Sequence, residues 1–132
     1  MYLLDTDICI YIINKRPANV LNIFERISPY EIKLSSITLA ELEYGASKSQ
    51  YRERNRRALL GFVSPFEVLP FEDCDAEIFG LLRVHLERTG QTIGPYDMQI
   101  AAQALSKKLI LVTNNVREFE RIPELRVENW SV

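Results

Sequence analysis

The stretch LLDTDICIYII, residues 3–13, decides how the rest of the chain is interpreted. Residues 2–5 have the length and apolar character of a short buried strand, yet that strand ends at a carboxylate, Asp5. Ile8–Ile13 then form an apolar run suited to a helix, for which Thr6 or Asp7 is a good N-cap residue. Burying a carboxylate without a partner is costly or forces it to stay protonated. We therefore expect a cation beside Asp5 and Asp7, or a helix that they cap.

Strand and helix patterns alternate along the remaining sequence. Further strands are predicted over 30–38, 66–71, 109–113 and 127–130, of which LILVT (109–113) is the strongest buried-strand signal. Helices are predicted over 18–28, 38–49, 51–64, 73–88 and 96–107. Parallel neighbouring strands need a crossover of about a dozen residues or more, and these helical segments supply it. The pattern predicts an α/β fold: a three-layer α/β/α sandwich with a mostly parallel central sheet, formed by residues 1–132 as a single domain.

The composition favours a cytoplasmic protein. No stretch is apolar and long enough for a membrane span, and the N-terminus lacks the basic segment of a signal peptide. The net charge of −2, from 18 acidic and 16 basic residues, at first argues against a nucleic-acid partner. If four of the acidic residues cluster around a metal ion, the rest of the chain has 14 acidic and 16 basic residues and a net charge of +2. That balance permits binding to RNA.

Four acidic or polar positions follow the predicted strands. Asp5 ends the first strand, Glu41 follows the second, Asp97 opens the helix after the loop at 90–95, and TNN (113–115) follows LILVT. Ligands of open parallel sheets bind at the carboxyl ends of the strands, so these positions should converge on one edge. Crowded carboxylates repel one another and need protons or a divalent cation. Oxygen ligands without Cys or His favour Mg²⁺, for which Mn²⁺ can substitute.

Each of these residues also has a purely structural interpretation. Thr38–Glu41 matches a capping box, and Asp97 suits the first turn of a helix electrostatically. Because His85 is the only histidine, the chain cannot cleave RNA with a pair of histidines acting as acid and base, and phosphodiester hydrolysis would need a metal ion. An arginine-rich helix is by default a solvated surface and alternatively an RNA-binding one. Its arginines are Arg52, Arg54, Arg56 and Arg57.

Four segments taken together resemble a known family. LLDTDICIYII, SSITLAELEYGASKS, GPYDMQIAAQAL and LILVTNNVREFERIPELRVENW look like the PIN-domain ribonucleases, specifically the VapC toxins of toxin–antitoxin pairs. The resemblance implies that Asp5, Glu41 and Asp97 form a Mg²⁺-dependent active site, with Glu118 as the fourth acidic residue. It implies supporting roles for Thr113 and Asn115, and we place Asp7 in a supporting role as well. Many PIN domains have aspartate where this chain has Asn115, so either Glu118 supplies the fourth carboxylate or none does.

The same resemblance implies a substrate and partners. The expected reaction is hydrolysis of single-stranded segments of structured RNA, with the anticodon loop of a tRNA as a candidate, and a resulting block of translation. The expected partners are a VapB-type antitoxin and a second copy of the chain in a homodimer.

Two other functions compete with this one. Asp5-Thr6-Asp7 resembles the opening of haloacid dehalogenase-like phosphatases, in which Asp5 would be the nucleophile and Asp7 the acid–base group. Cys9 stands where that motif has Thr or Val, and no acidic pair follows the late strand. A non-catalytic α/β interaction module requires only that the carboxylates act as helix caps.

Overall fold

A five-stranded sheet, parallel throughout, forms the centre of the molecule. The structure is a computed structural model that describes Met1–Val132. The spatial order of the strands is β3-β2-β1-β4-β5. The strands are β1 (Tyr2–Leu4), β2 (Ile32–Ser35), β3 (Glu67–Leu69), β4 (Ile110–Val112) and β5 (Val127–Glu128). The predicted α/β/α sandwich is confirmed, and no strand is antiparallel.

Seven helices cover the two faces of this sheet. They are α1 (Thr6–Ile13), α2 (Ala18–Glu25), α3 (Ser36–Lys48), α4 (Arg52–Val63), α5 (Asp73–Arg88), α6 (Pro95–Lys107) and α7 (Val116–Phe119). A single turn of 3₁₀ helix, Pro29–Glu31, precedes β2. No helix combines the length and apolar character that crossing a bilayer requires.

The alternation of side chains along β1 divides the core into two halves. Leu3 packs with α5, α6 and the segment around Phe119, whereas its neighbour Leu4 packs with α1 to α4 and Trp130. Both leucines are fully buried. Successive side chains of a strand point to opposite faces, so a central strand covered on both faces must be apolar at every position. This is why the first strand lacks the polar alternation of a half-exposed one.

The boundaries of several elements differ from the predicted ones. The strand predicted over 30–38 is shorter, because Pro29–Glu31 is 3₁₀ helix and the chain is already helical from Ser36. The side chain of Ser35 accepts a hydrogen bond from the Ile37 N–H and so caps α3. The helix α7 was not predicted, since four residues are too few to show helical periodicity. The helix predicted over 73–88 matches α5 at both ends.

A buried amide links three of these elements. Gln103 of α6 is fully buried, and its amide nitrogen, Nε2, donates to the carbonyl oxygens of Leu69 (3.2 Å) and Pro70 (3.1 Å). Its Oε1 accepts from the hydroxyl of Ser35. Because every polar atom of this side chain is satisfied, Gln103 joins the end of β3, the start of α3 and the helix that carries Asp97.

Candidate active site

Asp5 lies at the carboxyl end of the central strand. Its carboxylate accepts hydrogen bonds from the Thr6 N–H (2.8 Å) and from the Thr113 hydroxyl (2.8 Å), and only 5% of the residue is exposed. Burial, followed by the charges of Asp7 and Glu41, raises the pKa of Asp5 to about 6, even though the two hydrogen bonds oppose the rise. The ionised carboxylate is thus poorly compensated by the protein itself.

The N-cap of α1 is Asp5, so the expectation that Thr6 or Asp7 would cap this helix is wrong. Thr6 is instead the first helical residue, and Asp7 lies in the first turn. One carboxylate oxygen of Asp7 accepts from the Ile8 N–H (2.7 Å) and the other from the Asn114 N–H (3.1 Å). Burial raises the pKa of Asp7. Asp7 therefore links the loop after β4 to α1 through both of its carboxylate oxygens.

Glu41 lies in the second turn of α3 and is not part of a capping box. The helix begins at Ser36 with Ser35 as its cap, so interpreting Thr38–Glu41 as a capping box is wrong. The Glu41 carboxylate instead accepts a hydrogen bond from the Thr6 hydroxyl, at 2.9 Å from Oε1. This bond joins the first turn of α1 to α3 and turns Glu41 toward the end of β1.

Asp97 is the third residue of α6 and is half-buried. Burial first, and then the charges of Asp5, Glu118 and Glu41, together raise its pKa to about 7. These mutual effects show that the four carboxylates lie near one another, although their positions span 114 residues of the chain. None of them forms a salt bridge.

Glu118 and Asn115 form a connected pair at the start of α7. The Asn115 amide donates to Oε2 of Glu118, and the Gly94 N–H donates to Oε1 at 3.2 Å. The backbone N–H of Asn115 donates to the Thr113 hydroxyl (3.0 Å), which in turn donates to Asp5. Thr113 and Asn115 therefore support Asp5 and Glu118 through hydrogen bonds. Of the two candidates for the fourth acidic position, Glu118 is the one whose carboxyl faces Asp97.

The carboxylates are gathered at one edge but do not form a complete metal cage. No three carboxylate, imidazole or thiol side chains lie close enough to ligate one ion together. The expected ligand set of Asp5, Asp97 and Glu41 is thus not preformed. The chemistry of the donors still fits Mg²⁺, which is commonly bound by one or two carboxylates and keeps several waters. Asp5 and Asp97 are the two carboxylates with the largest pKa rises and no cationic partner.

The arginine-rich helix α4 packs against α3, the helix that carries Glu41. Arg52, Arg54, Arg56 and Arg57 are exposed on α4, and none of them forms an ion pair with a carboxylate of the site. Arg56 instead makes two hydrogen bonds to Glu43, and Arg54 stacks over the Tyr51 ring.

Sequence reasoning did not single out Arg16, a cation beside the loop that binds Asp7. Arg16 lines a groove of about 370 Å³ together with Tyr11 and Asn114, and it forms no ion pair. Asn114 is also the residue whose N–H binds Asp7. Nothing in the sequence around Arg16 marked it, because the groove is formed by residues from α1 and from the loop after β4. The sequence suggested Thr6 only as a possible helix cap, and its hydrogen bond to Glu41 could be identified only from the tertiary structure.

Comparisons with known proteins agree on one family. A sequence model of the PIN domain matches residues 2–125. The chain is 47% identical to the tRNA(fMet)-specific endonuclease VapC of Shigella flexneri and 46% identical to ribonuclease VapC2 of Haemophilus influenzae, in each case over 97–98% of both chains. Among solved structures it is similar to a chain of VapBC2 from Rickettsia felis bound to a promoter DNA fragment, with a TM-score of 0.92, 45% identity and 98% coverage of both chains.

A second solved complex, the DNA-bound VapBC of Salmonella typhimurium, contains a chain with the same TM-score and identity, and the alignment covers 98% of this chain and 97% of that one. The sequence and structure comparisons therefore point to the same group of proteins, and each alignment covers almost the whole length of both aligned chains. The chain belongs to the PIN-domain family and, within it, to the VapC ribonucleases, the toxins of VapBC toxin–antitoxin systems.

Proposed function

We propose that this protein is a Mg²⁺-dependent endoribonuclease that cleaves single-stranded segments of structured RNA and thereby inhibits translation. One observation carries the proposal. The buried carboxylate of Asp5 ends the central strand beside Asp97, Glu41 and Glu118, and no cationic side chain compensates the group. A divalent cation is the partner that would make this arrangement favourable at neutral pH.

Each acidic residue has a separate role in the proposed hydrolysis of the phosphodiester bond. Asp5 and Asp97 would hold the ion, which supplies stabilisation for the negative charge that develops on the scissile phosphate. Glu41 orients the attacking water, whose oxygen bonds to phosphorus as the bond from phosphorus to the 3′ oxygen breaks. The products are a 5′-phosphate and a 3′-hydroxyl. Glu118, held by Gly94 and Asn115, keeps negative charge close to Asp97 and favours cation binding there.

The proposed substrate class is a folded RNA with unpaired bases, with the anticodon loop of a tRNA as the leading candidate. The Shigella relative at 47% identity is named as a tRNA(fMet)-specific endonuclease, which supports a tRNA. Proteins read RNA sequence chiefly in loops, where bases are unstacked and accessible. The acidic site itself repels phosphate, so binding requires cations at its margin, and Arg16 and the exposed arginines of α4 provide them.

The proposed protein partners are a VapB-type antitoxin and a second copy of this chain. The similar solved chains belong to VapBC complexes, which supports the antitoxin. A basic side chain of the antitoxin placed among Asp5, Asp97 and Glu41 would neutralise the site and exclude the metal ion. We place this pair in the cytoplasm, where tRNA is found.

The test uses purified protein and a 5′-labelled tRNA, with Mg²⁺ or with EDTA. Asp5→Ala and Asp97→Ala should each abolish cleavage, and EDTA should do the same to the wild type. Asp73→Ala is the matched control, because Asp73 also lies in the first turn of a helix but is exposed on α5. Cleavage that survives EDTA and both substitutions would refute the proposal, as would equal loss in the control.

A further inference from the structure

The groove beside Arg16 is built from three separate parts of the chain. Ile10, Tyr11 and Asn14 come from α1 and its C-terminal end, Arg16 from the segment that follows, and Asn114 from the loop after β4. Its volume of about 370 Å³ is that of a small-ligand pocket. None of the residues that line it is acidic, so its one charged side chain is a cation. The groove is therefore suited to an anionic ligand.

One face of α1 connects this groove with the acidic site. Asp7, Ile10, Tyr11 and Asn14 follow one another at spacings of three or four residues, which places them on the same side of the helix. Asp7 lies close enough to Asp5 for its charge to raise the pKa of that carboxyl. The rise from Asp7 to Asn14 is about 10 Å, which about three nucleotides of a stacked RNA strand would span. A strand with one phosphate at the acidic site can therefore place a nearby nucleotide in the groove.

Asn114 is held in this groove from two sides. Its backbone N–H donates to Asp7 at 3.1 Å, and its side-chain Oδ1 lies 2.7 Å from the Ser131 hydroxyl. The residue is nevertheless exposed. Side-chain amides bind the edges of bases through hydrogen bonds, and an amide that is already fixed in place discriminates between bases better than a mobile one.

Arg16 and the apolar side chains complete the contacts that a nucleotide requires. Arg16 is exposed and forms no ion pair, so its guanidinium is available to a phosphate, which it can bind through two N–H donors. Ile10 and Tyr11 offer an apolar surface against which a base can pack. Phosphate, base edge and base face thus each have a partner in one groove.

We propose that this groove is a nucleotide-binding subsite for the RNA substrate, in which Arg16 binds a phosphate and Asn114 selects the base. The inference rests on the proposed nuclease function and names the residues that determine which phosphodiester bond reaches the acidic site. A phosphate contact carries no information about the base, so Arg16 should contribute to the binding of every sequence. The contact of Asn114 should favour one base over the others.

The experiment uses four hairpin RNAs that share one stem and differ only in the base that fills the loop. For each hairpin, kcat/KM is measured with the wild type, Asn114→Ala and Arg16→Gln. The control is Asn22→Ala, at an exposed asparagine of α2 outside the groove, and it should leave all four values unchanged.

The two groove variants should change the four values in different ways. Asn114→Ala should lower kcat/KM about tenfold on the preferred loop and less than about threefold on the other three. Arg16→Gln should lower it by a similar factor, about three- to tenfold, on all four.

Three results would overturn the inference. A wild type that treats all four loops alike has no base-selecting subsite. An equal loss on all four loops in Asn114→Ala would mean that the side chain only supports the loop after β4, because a structural defect does not change the preference among bases. Unchanged values in both variants would leave the groove to a protein partner.

Binding measurements separate this inference from the proposed function. In the Asp97→Asn background, fluorescence anisotropy gives the Kd of the same four hairpins without cleavage, and the same pattern of losses is expected. A wild type that cleaves neither the hairpins nor tRNA would refute the nuclease assignment, while the Kd values would still decide whether the groove selects a base. If Asn114→Ala fails to fold by circular dichroism, Asn114→Gln displaces the amide by one methylene group and carries the same expectations.

Discussion

Replacing Asp97 by asparagine should make the metal-free protein more stable at neutral pH. Burial is the largest cause of the raised pKa of Asp97, and repulsion from Asp5, Glu118 and Glu41 adds to it, so that the pKa rises from 3.8 to about 7. Such a rise disfavours the ionised form in the folded state by roughly 4 kcal/mol. Because Asp97 is half-exposed, solvent screening reduces the effect to roughly 2 kcal/mol. Asparagine keeps the shape and removes the charge.

The pH dependence follows from the direction of the shift. A carboxyl whose pKa is raised by folding contributes its full stability below the pKa of the unfolded chain, and that stability is lost as the pH rises through the folded value. In EDTA, wild type and Asp97→Asn should therefore differ little near pH 4. The advantage of the variant should grow between pH 4 and pH 7 and reach roughly 2 kcal/mol at pH 8, or about 5–10 °C in Tm.

The assay is urea unfolding at pH 4.5 and pH 8, in EDTA and in Mg²⁺, with Glu77→Gln as the control. Glu77 is exposed on α5 away from the site, so its neutralisation should change stability by less than about 0.5 kcal/mol. Mg²⁺ should stabilise the wild type, by about 2.7 kcal/mol at a hundred times its Kd, and should stabilise Asp97→Asn much less. Equal stability of wild type and variant in EDTA at pH 8, or an advantage that does not depend on pH, would refute the reasoning.

Two further predictions concern Gln103 and Arg16. Gln103→Leu should lower the free energy of unfolding, measured with urea, by about 2–4 kcal/mol, because it leaves the Ser35 hydroxyl and two backbone carbonyls in the core without their partner. The control is Gln99→Leu, at a half-buried position of the same helix. A loss below about 1 kcal/mol for Gln103→Leu would contradict the account. Arg16→Gln, made in the Asp97→Asn background to prevent cleavage, should weaken tRNA binding and lower the slope of log K against log salt by about 1. Arg83→Gln is its control, since Arg83 is already paired with Glu87 on α5, and equal slopes for Arg16→Gln and its parent would show that Arg16 does not contact phosphate.

Periodicity and residue type were sufficient to predict the architecture. The alternation of apolar strands with amphipathic helices implies crossover connections, and a parallel sheet follows from the length of those connections. The ends of helices and strands were predicted less accurately, because helix starts depend on N-cap residues such as Ser35 and Asp5, and several neighbouring residues were of types that can act as the cap. A four-residue helix such as α7 is stabilised by burying Phe119 and leaves no periodic signal.

The gathering of Asp5, Glu41 and Asp97 at one edge also followed from the sequence, since parallel strands all present their carboxyl ends on the same side. Their individual roles did not. Whether Glu41 returns a hydrogen bond to its own helix or reaches toward Asp5 depends on where α3 begins and on the distance to Thr6, which lies 35 residues earlier in the chain. Side-chain partners of this kind are set by the packing of helices against the sheet, and packing distances are a property of the tertiary structure alone.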